Sequence, residues 1–142
     1  MTFEERSTWI YAAVALVSFV AYAAVIAGRA QGVPLRDVAY VAPMLWTIGS
    51  GIVATIAGNV LVAGIWRGDC GKRDVRDQEI GRFGERVGQS FVCIGGVAAL
   101  ALAMAKAEHF WIAHVTYVAF LLATLLGATM KILAYRRGIP DC

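Results

Sequence analysis

Apolar residues in this chain come in runs rather than in stripes. Residues 9–27 carry no ionisable side chain except tyrosines, 38–66 and 90–105 contain no acid, lysine or arginine, and 110–130 contains a single histidine. A surface helix of a soluble domain shows one apolar stripe of period 3.6. Crossing a bilayer takes about 20 predominantly apolar residues in succession. The runs therefore predict four transmembrane helices, at about 9–27, 38–66, 88–105 and 110–134, in one integral membrane domain covering 1–142. Helix two is long for the bilayer and should tilt, and Pro43 falls near its start, where a missing amide costs least. The first run is longer than a signal-peptide core of roughly 7–15 residues, and MTFEER ahead of it is as acidic as it is basic, which predicts a retained helix.

The polar positions cluster between the second and third runs. Residues 67–89, RGDCGKRDVRDQEIGRFGERVGQ, hold 11 of the 23 charged residues and should form a loop over 67–87. Its second half has a helical period. At 100° per residue Ile80, Phe83, Val87 and Phe91 fall on one stripe, with Arg82, Glu85, Arg86 and Gln89 opposite. An amphipathic helix leading straight into helix three is expected, with Asp74 suited to the N-cap. Only residues 106–109 separate helices three and four, which forces an antiparallel hairpin. The fold class is all-α, an antiparallel four-helix membrane bundle.

Charge sets the orientation. Arg6, Arg67, Lys72, Arg73, Arg76, Arg82, Arg86, Lys131, Arg136 and Arg137 lie at the chain ends and in the central block, against Arg29, Arg36 and Lys106 in the other two connections. The positive-inside rule then puts both termini and the central loop in the cytoplasm. A net charge of +3 suits anionic lipid on that side. The charges are mixed and no basic run is interleaved with aromatics, which argues against nucleic acid. The three cysteines, Cys70, Cys93 and Cys142, form no CxxC, and no disulfide is expected.

Small residues repeat with helical spacing. Gly81, Gly84, Gly88 and Gly95 project within about 60° of one another. Each interior glycine costs up to about 1 kcal/mol relative to alanine, so four on one side call for a reason, and close helix packing in the membrane is one. Ser50, Ala54 and Gly58 in helix two form a similar row and are the expected partner of Gly84, Gly88 and Gly95.

Candidate chemistry is sparse. Asp69, Asp74, Asp77 and Glu79 could act as hard-cation ligands. No calcium-loop pattern is present, and Arg73 with Asp77, Arg76 with Glu79 and Glu79 with Arg82 have ion-pair spacing on a helix. Asn59 and His114 are the polar residues worth naming inside the runs, and such groups face a bundle interior or mark a pathway. Asn59 is expected to hydrogen-bond between helices. His109 and His114 point roughly 140° apart on one helix and cannot share a metal; no cofactor is expected. There is no cysteine pair for thiol oxidation, no glutamate in helix one of the kind small multidrug exchangers need, and no Ser–His–Asp, HExxH or phosphate loop.

The run KRDVRDQEIGRFGERVGQSFV resembles the D-E-R-D-x-x-I-x-x-x-G-x-R-x-G-Y pattern of an uncharacterised family of small bacterial four-helix integral membrane proteins. The ending KILAYRRGIP is similar to that family's tail of an aromatic, two arginines and glycine. The specific likeness covers residues 73–88 and 135–138. Val75 stands where the family has its first glutamate, and Gln89 and Ser90 replace an aromatic. The resemblance implies a bacterial inner-membrane location and the same hairpin layout, and it implies no reaction.

These readings converge on a non-enzymatic membrane protein that meets a cytoplasmic protein partner or lipid headgroups through its loop, with Arg73, Asp74, Arg76 and Asp77 in the contact. The alternative is a small homo-oligomeric transporter or channel subunit built around Asn59 and His114. A polar cavity reaching Asn59 would favour transport, and a dry bundle would favour the contact protein.

Overall fold

The computed structural model describes residues 3–65 and 75–137. These form four long helices: α1 Phe3–Arg29, α2 Val41–Ile65, α3 Val75–Met104 and α4 His109–Arg137, with a 3-10 turn at Leu35–Asp37 between α1 and α2. No strand occurs among the described residues, and each long helix is long and apolar enough to cross a membrane. The chain is thus a multi-pass membrane bundle, all-α and antiparallel. Both hairpin turns lie at one end, the turn end. The start of α1 and α3 and the close of α2 and α4 lie at the other, the basic end.

α3 is the longest helix, with 30 residues in one unbroken element. At 1.5 Å per residue it is about 45 Å long, enough to cross hydrocarbon and headgroups together. Most of the expected loop over 67–87 is therefore helix, continuous with the span. Ile80 is fully buried, and Phe83, Val87 and Phe91 are half-buried, while Arg82, Glu85, Arg86 and Gln89 are exposed. Asp74, Trp66 and the cysteines Cys70 and Cys142 lie outside the described residues.

Local chemistry explains the helix ends. The first amide of α2 to find a helical partner is that of Met44, on the carbonyl of Tyr40 at 3.0 Å. Pro43 thus occupies a position whose N–H would have been orphaned in any case. α3 closes with the amide of Ala107 on the carbonyl of Leu102 at 2.9 Å and the amide of Lys106 on Ala103 at 3.0 Å. This is a Schellman motif, and Lys106 takes its left-handed position at φ 55°.

The helices pack in the order α2, α1, α4, α3. The glycine row of α3 therefore meets α4. A Cβ built on Gly84 would lie 2.8 Å from the carbonyl oxygen of Gly127, and one on Gly88 would lie 2.9 Å from that of Ala123. One on Gly95 would overlap the methyl of Ala119. The expected pairing with Ser50, Ala54 and Gly58 does not form: Ser50 and Ala54 are exposed, and Gly58 instead receives Ile10 of α1, whose Cγ2 would be 2.9 Å from an added Cβ. The physical reason is connectivity. The short turn between α3 and α4 keeps them in register along their length, so the backbone approach that glycine permits is used within that hairpin.

Candidate functional site

At the turn end, α1, α4 and the segment before α2 bring aromatic side chains together. Tyr22 and Phe110 are buried, and Tyr40, His114 and Tyr117 are half-buried beside them. His114 Nδ1 lies 2.7 Å from the carbonyl oxygen of Phe110, and Nε2 lies 2.6 Å from the Tyr22 hydroxyl. A carbonyl only accepts, so Nδ1 carries the proton in the neutral ring. Nε2 is then the acceptor, and the Tyr22 O–H donates to it. Phe110 stacks on the imidazole with centroids 4.0 Å apart, and Tyr40 meets Phe110 edge-on at 5.3 Å. Both nitrogens of His114 are engaged: Nδ1 bonds within α4, and Nε2 takes the bond that holds α1 to α4.

Asn59 is near the basic end, in the seam between α2 and α1. Ser7 Oγ donates to its Oδ1 at 2.6 Å, and its amide donates to the Tyr11 hydroxyl at 3.0 Å. It hydrogen-bonds between helices, as its position in an apolar run suggests. Tyr11 and Tyr22 are three helical turns apart on α1, about 16 Å along the axis. Asn59 and His114 therefore do not converge, and each is committed to an interhelical bond.

Two grooves open between α2 and α3 on the α1–α4 pair. The larger, about 420 Å³, is lined by α1, α2 and α4, including Tyr11, Ser18, Thr47, Thr55 and Tyr117. The threonine hydroxyls donate to their own helices, Thr47 to Pro43 at 3.0 Å and Thr55 to Gly51 at 2.8 Å. Neither Asn59 nor His114 lines it, and its walls are mostly apolar, unlike the polar cavity a transport pathway would need.

The smaller groove, about 330 Å³, lies between α1 and α3 over α4. Thr8 and Tyr11 form one wall and Gly84, Gly88 and Val92 the other; Ala123 and Gly127 are on the floor. Lys131 and Glu85 stand at its mouth, with Nζ 3.8 Å from the carboxylate. The stem of Lys131 lies across Gly84, where an added Cβ would overlap its Cγ. A lysine stem can cover apolar surface in this way while its ammonium reaches toward water. In the sequence Lys131 counts only toward orientation and Tyr11 only as an interfacial anchor beside Trp9, and Tyr22 carries no signal. The available signal was local: Lys131 is the first charge after the apolar run of α4 and lies one turn beyond Gly127, hence on the same face.

Of the loop residues singled out for contact, Arg76 is exposed on the first turn of α3, and Asp77 is half-buried. Arg73 and Asp74 lie outside the described residues. Gly84, Gly88 and Gly95 are buried in the α3–α4 seam.

The chain matches no protein-family model, no curated protein and no solved structure.

Proposed function

We propose that this chain is a non-enzymatic protein of the bacterial inner membrane, with both termini in the cytoplasm, whose basic end binds anionic lipid headgroups. One observation carries the reading. α3 leaves the apolar zone without a break, and its exposed side presents Arg82 and Arg86 at the end where α4 presents Arg136 and Arg137, with Arg76 exposed on the first turn of α3. The opposite stripe, led by the fully buried Ile80, faces the bundle. A helix held inward by that stripe keeps its arginines at headgroup level. There each is worth about 1 kcal/mol against an anionic leaflet. The turn end, with Arg29, Arg36 and Lys106, is poorer in base, in line with the positive-inside rule. The resemblance to small bacterial four-helix membrane proteins agrees with this placement.

The test uses nanodiscs of mixed phosphatidylglycerol and phosphatidylcholine. A variant with Arg82, Arg86, Arg136 and Arg137 replaced by glutamine should lose the enrichment of phosphatidylglycerol around the protein, and salt should weaken the wild-type enrichment. Equal enrichment in both proteins would refute the reading.

A further inference from the structure

We propose that the groove between α1 and α3 is a site for one aminophospholipid, a zwitterionic lipid of the phosphatidylethanolamine class. Size comes first. From Phe120 to Lys131 the groove follows α4 for about 16 Å, close to half of a hydrocarbon core of about 30 Å, so its depth is that of one leaflet. Its volume of about 330 Å³ suits an extended acyl chain. It is too small for a helix of a second copy, which is about 10–12 Å across with its side chains.

The chemistry of the walls changes along that depth. Toward the middle of the bundle they are Phe120, Ala123 and Val92, and the hydroxyl of Thr124 donates to the Phe120 carbonyl of its own helix at 2.9 Å. This part is effectively hydrocarbon. At the mouth stand Lys131, Glu85, Gln89 and Thr8. Residues 110–130 and 87–104 carry no formal charge, so Lys131 is the first charge of α4 and Glu85 lies next to the first of α3. Both are at the depth where phosphate and headgroup begin.

Charge then selects the occupant. The mouth holds one cation and one anion, with no net charge. An anionic headgroup would gain from Lys131 and lose to Glu85. A headgroup carrying phosphate and primary ammonium matches both: phosphate on the Lys131 ammonium, and N–H donors on the Glu85 carboxylate and the Gln89 carbonyl. A choline headgroup has the same charges but no N–H to donate, so it forgoes the charge-assisted hydrogen bonds. The proposal takes from the proposed function only that the basic end lies in the headgroup layer; the arginines binding anionic lipid are not part of the site.

The full chain is reconstituted in nanodiscs of equal phosphatidylethanolamine, phosphatidylcholine and phosphatidylglycerol, and retained lipid is read by native mass spectrometry. One phosphatidylethanolamine should be held over phosphatidylcholine by about two- to fivefold, the worth of one exposed charge contact. Lys131→Met should lower the retention of phosphatidylethanolamine and phosphatidylcholine together, because both carry the phosphate it holds, and Glu85→Gln should reduce phosphatidylethanolamine to the level of phosphatidylcholine. Val92→Trp, which fills the apolar part from a position outside the α3–α4 seam, should remove the retained lipid with the fold intact by circular dichroism. Equal retention of the three lipids, preference for phosphatidylglycerol at this site, or lipid retention unchanged in Lys131→Met would each overturn the proposal. Loss of phosphatidylglycerol enrichment in the arginine variant, with ethanolamine retention unaffected by Lys131→Met, would sink this site and leave the proposed function standing. The converse pattern would do the opposite.

Discussion

Replacing Gly88 and Gly96 by alanine, one at a time, separates packing from helix propensity within one helix. Both are interior positions of α3, so each alanine gains about 1 kcal/mol of intrinsic helix stability over glycine. Their surroundings differ. A Cβ on Gly96 meets nothing within 4 Å, whereas one on Gly88 would lie 2.9 Å from the backbone oxygen of Ala123, inside the 3.4 Å at which ordinary contact begins. The obstructing atom is main chain, so it cannot rotate away, and α3 and α4 must separate locally. Overpacking of this kind costs about 1–3 kcal/mol. The propensity gain is common to both variants and cancels in the comparison. Gly96→Ala should stabilise the protein by about 1 kcal/mol, and Gly88→Ala should fall about 1–3 kcal/mol below it. Equilibrium unfolding in mixed micelles of dodecyl maltoside and SDS, followed by far-UV circular dichroism, measures both. Gly88→Leu extends the series and should disturb the fold more than Arg82→Ala, which changes an exposed side chain. If Gly88→Ala and Gly96→Ala were equally stable, the backbone contact between α3 and α4 would not exist as described.

Tyr22→Phe removes the hydroxyl that donates to His114 Nε2 and should cost about 0.5–2 kcal/mol by the same unfolding assay, with most of the loss absent in a His114→Phe background. Asn59→Leu and Tyr11→Phe should show a coupling of about 0.6–1.7 kcal/mol in a double-mutant cycle, the range found for hydrogen bonds between membrane helices. Lys106→Gly should stabilise by up to about 1 kcal/mol, because the left-handed position costs a side-chain-bearing residue about 1–2 kcal/mol and glycine returns part of that as chain entropy. Lys106→Val should destabilise, since a branched β-carbon fits that conformation worse than lysine.

The fold was legible wherever one chain segment decides its own state. Runs without charge gave the four helices, and the stripe of Ile80, Phe83, Val87 and Phe91 gave the extension of α3 beyond the bilayer. Boundaries shifted where that logic weakens: α1 begins at Phe3 rather than near Trp9, because Glu5 and Arg6 do not stop a helix that has already left hydrocarbon. Which helices touch was less legible. Gly84, Gly88 and Gly95 announced a close contact, but a small-residue face is the same whichever helix it meets, and the choice of α4 over α2 came from the hairpin turn. The paired sites were hidden for a related reason. Lys131 becomes distinctive only once Gly84 is beneath its stem, and His114 stands out in its apolar run while its partner Tyr22 lies 92 residues away.

The distribution of contacts along the bundle is uneven, and the unevenness bears on how the grooves arise. At the turn end the two hairpins are tied to each other: Tyr22 to His114 at 2.6 Å, Tyr40 to Phe110 by ring contact, and Arg36 to Glu108 at 3.7 Å. Toward the basic end, the bonds of Asn59 stay within the first hairpin, and the Lys131–Glu85 pair stays within the second. Directional interactions resist separation in a membrane because a broken partner has no water to turn to. Apolar contacts resist it weakly, because lipid replaces one methylene with another. With the hairpins tied by these bonds at the turn end, lipid enters with least loss along apolar stretches of the seam nearer the basic end. That is the end where the groove over α4 lies, with Thr8 and Tyr11 of the first hairpin facing Gly84 and Val92 of the second.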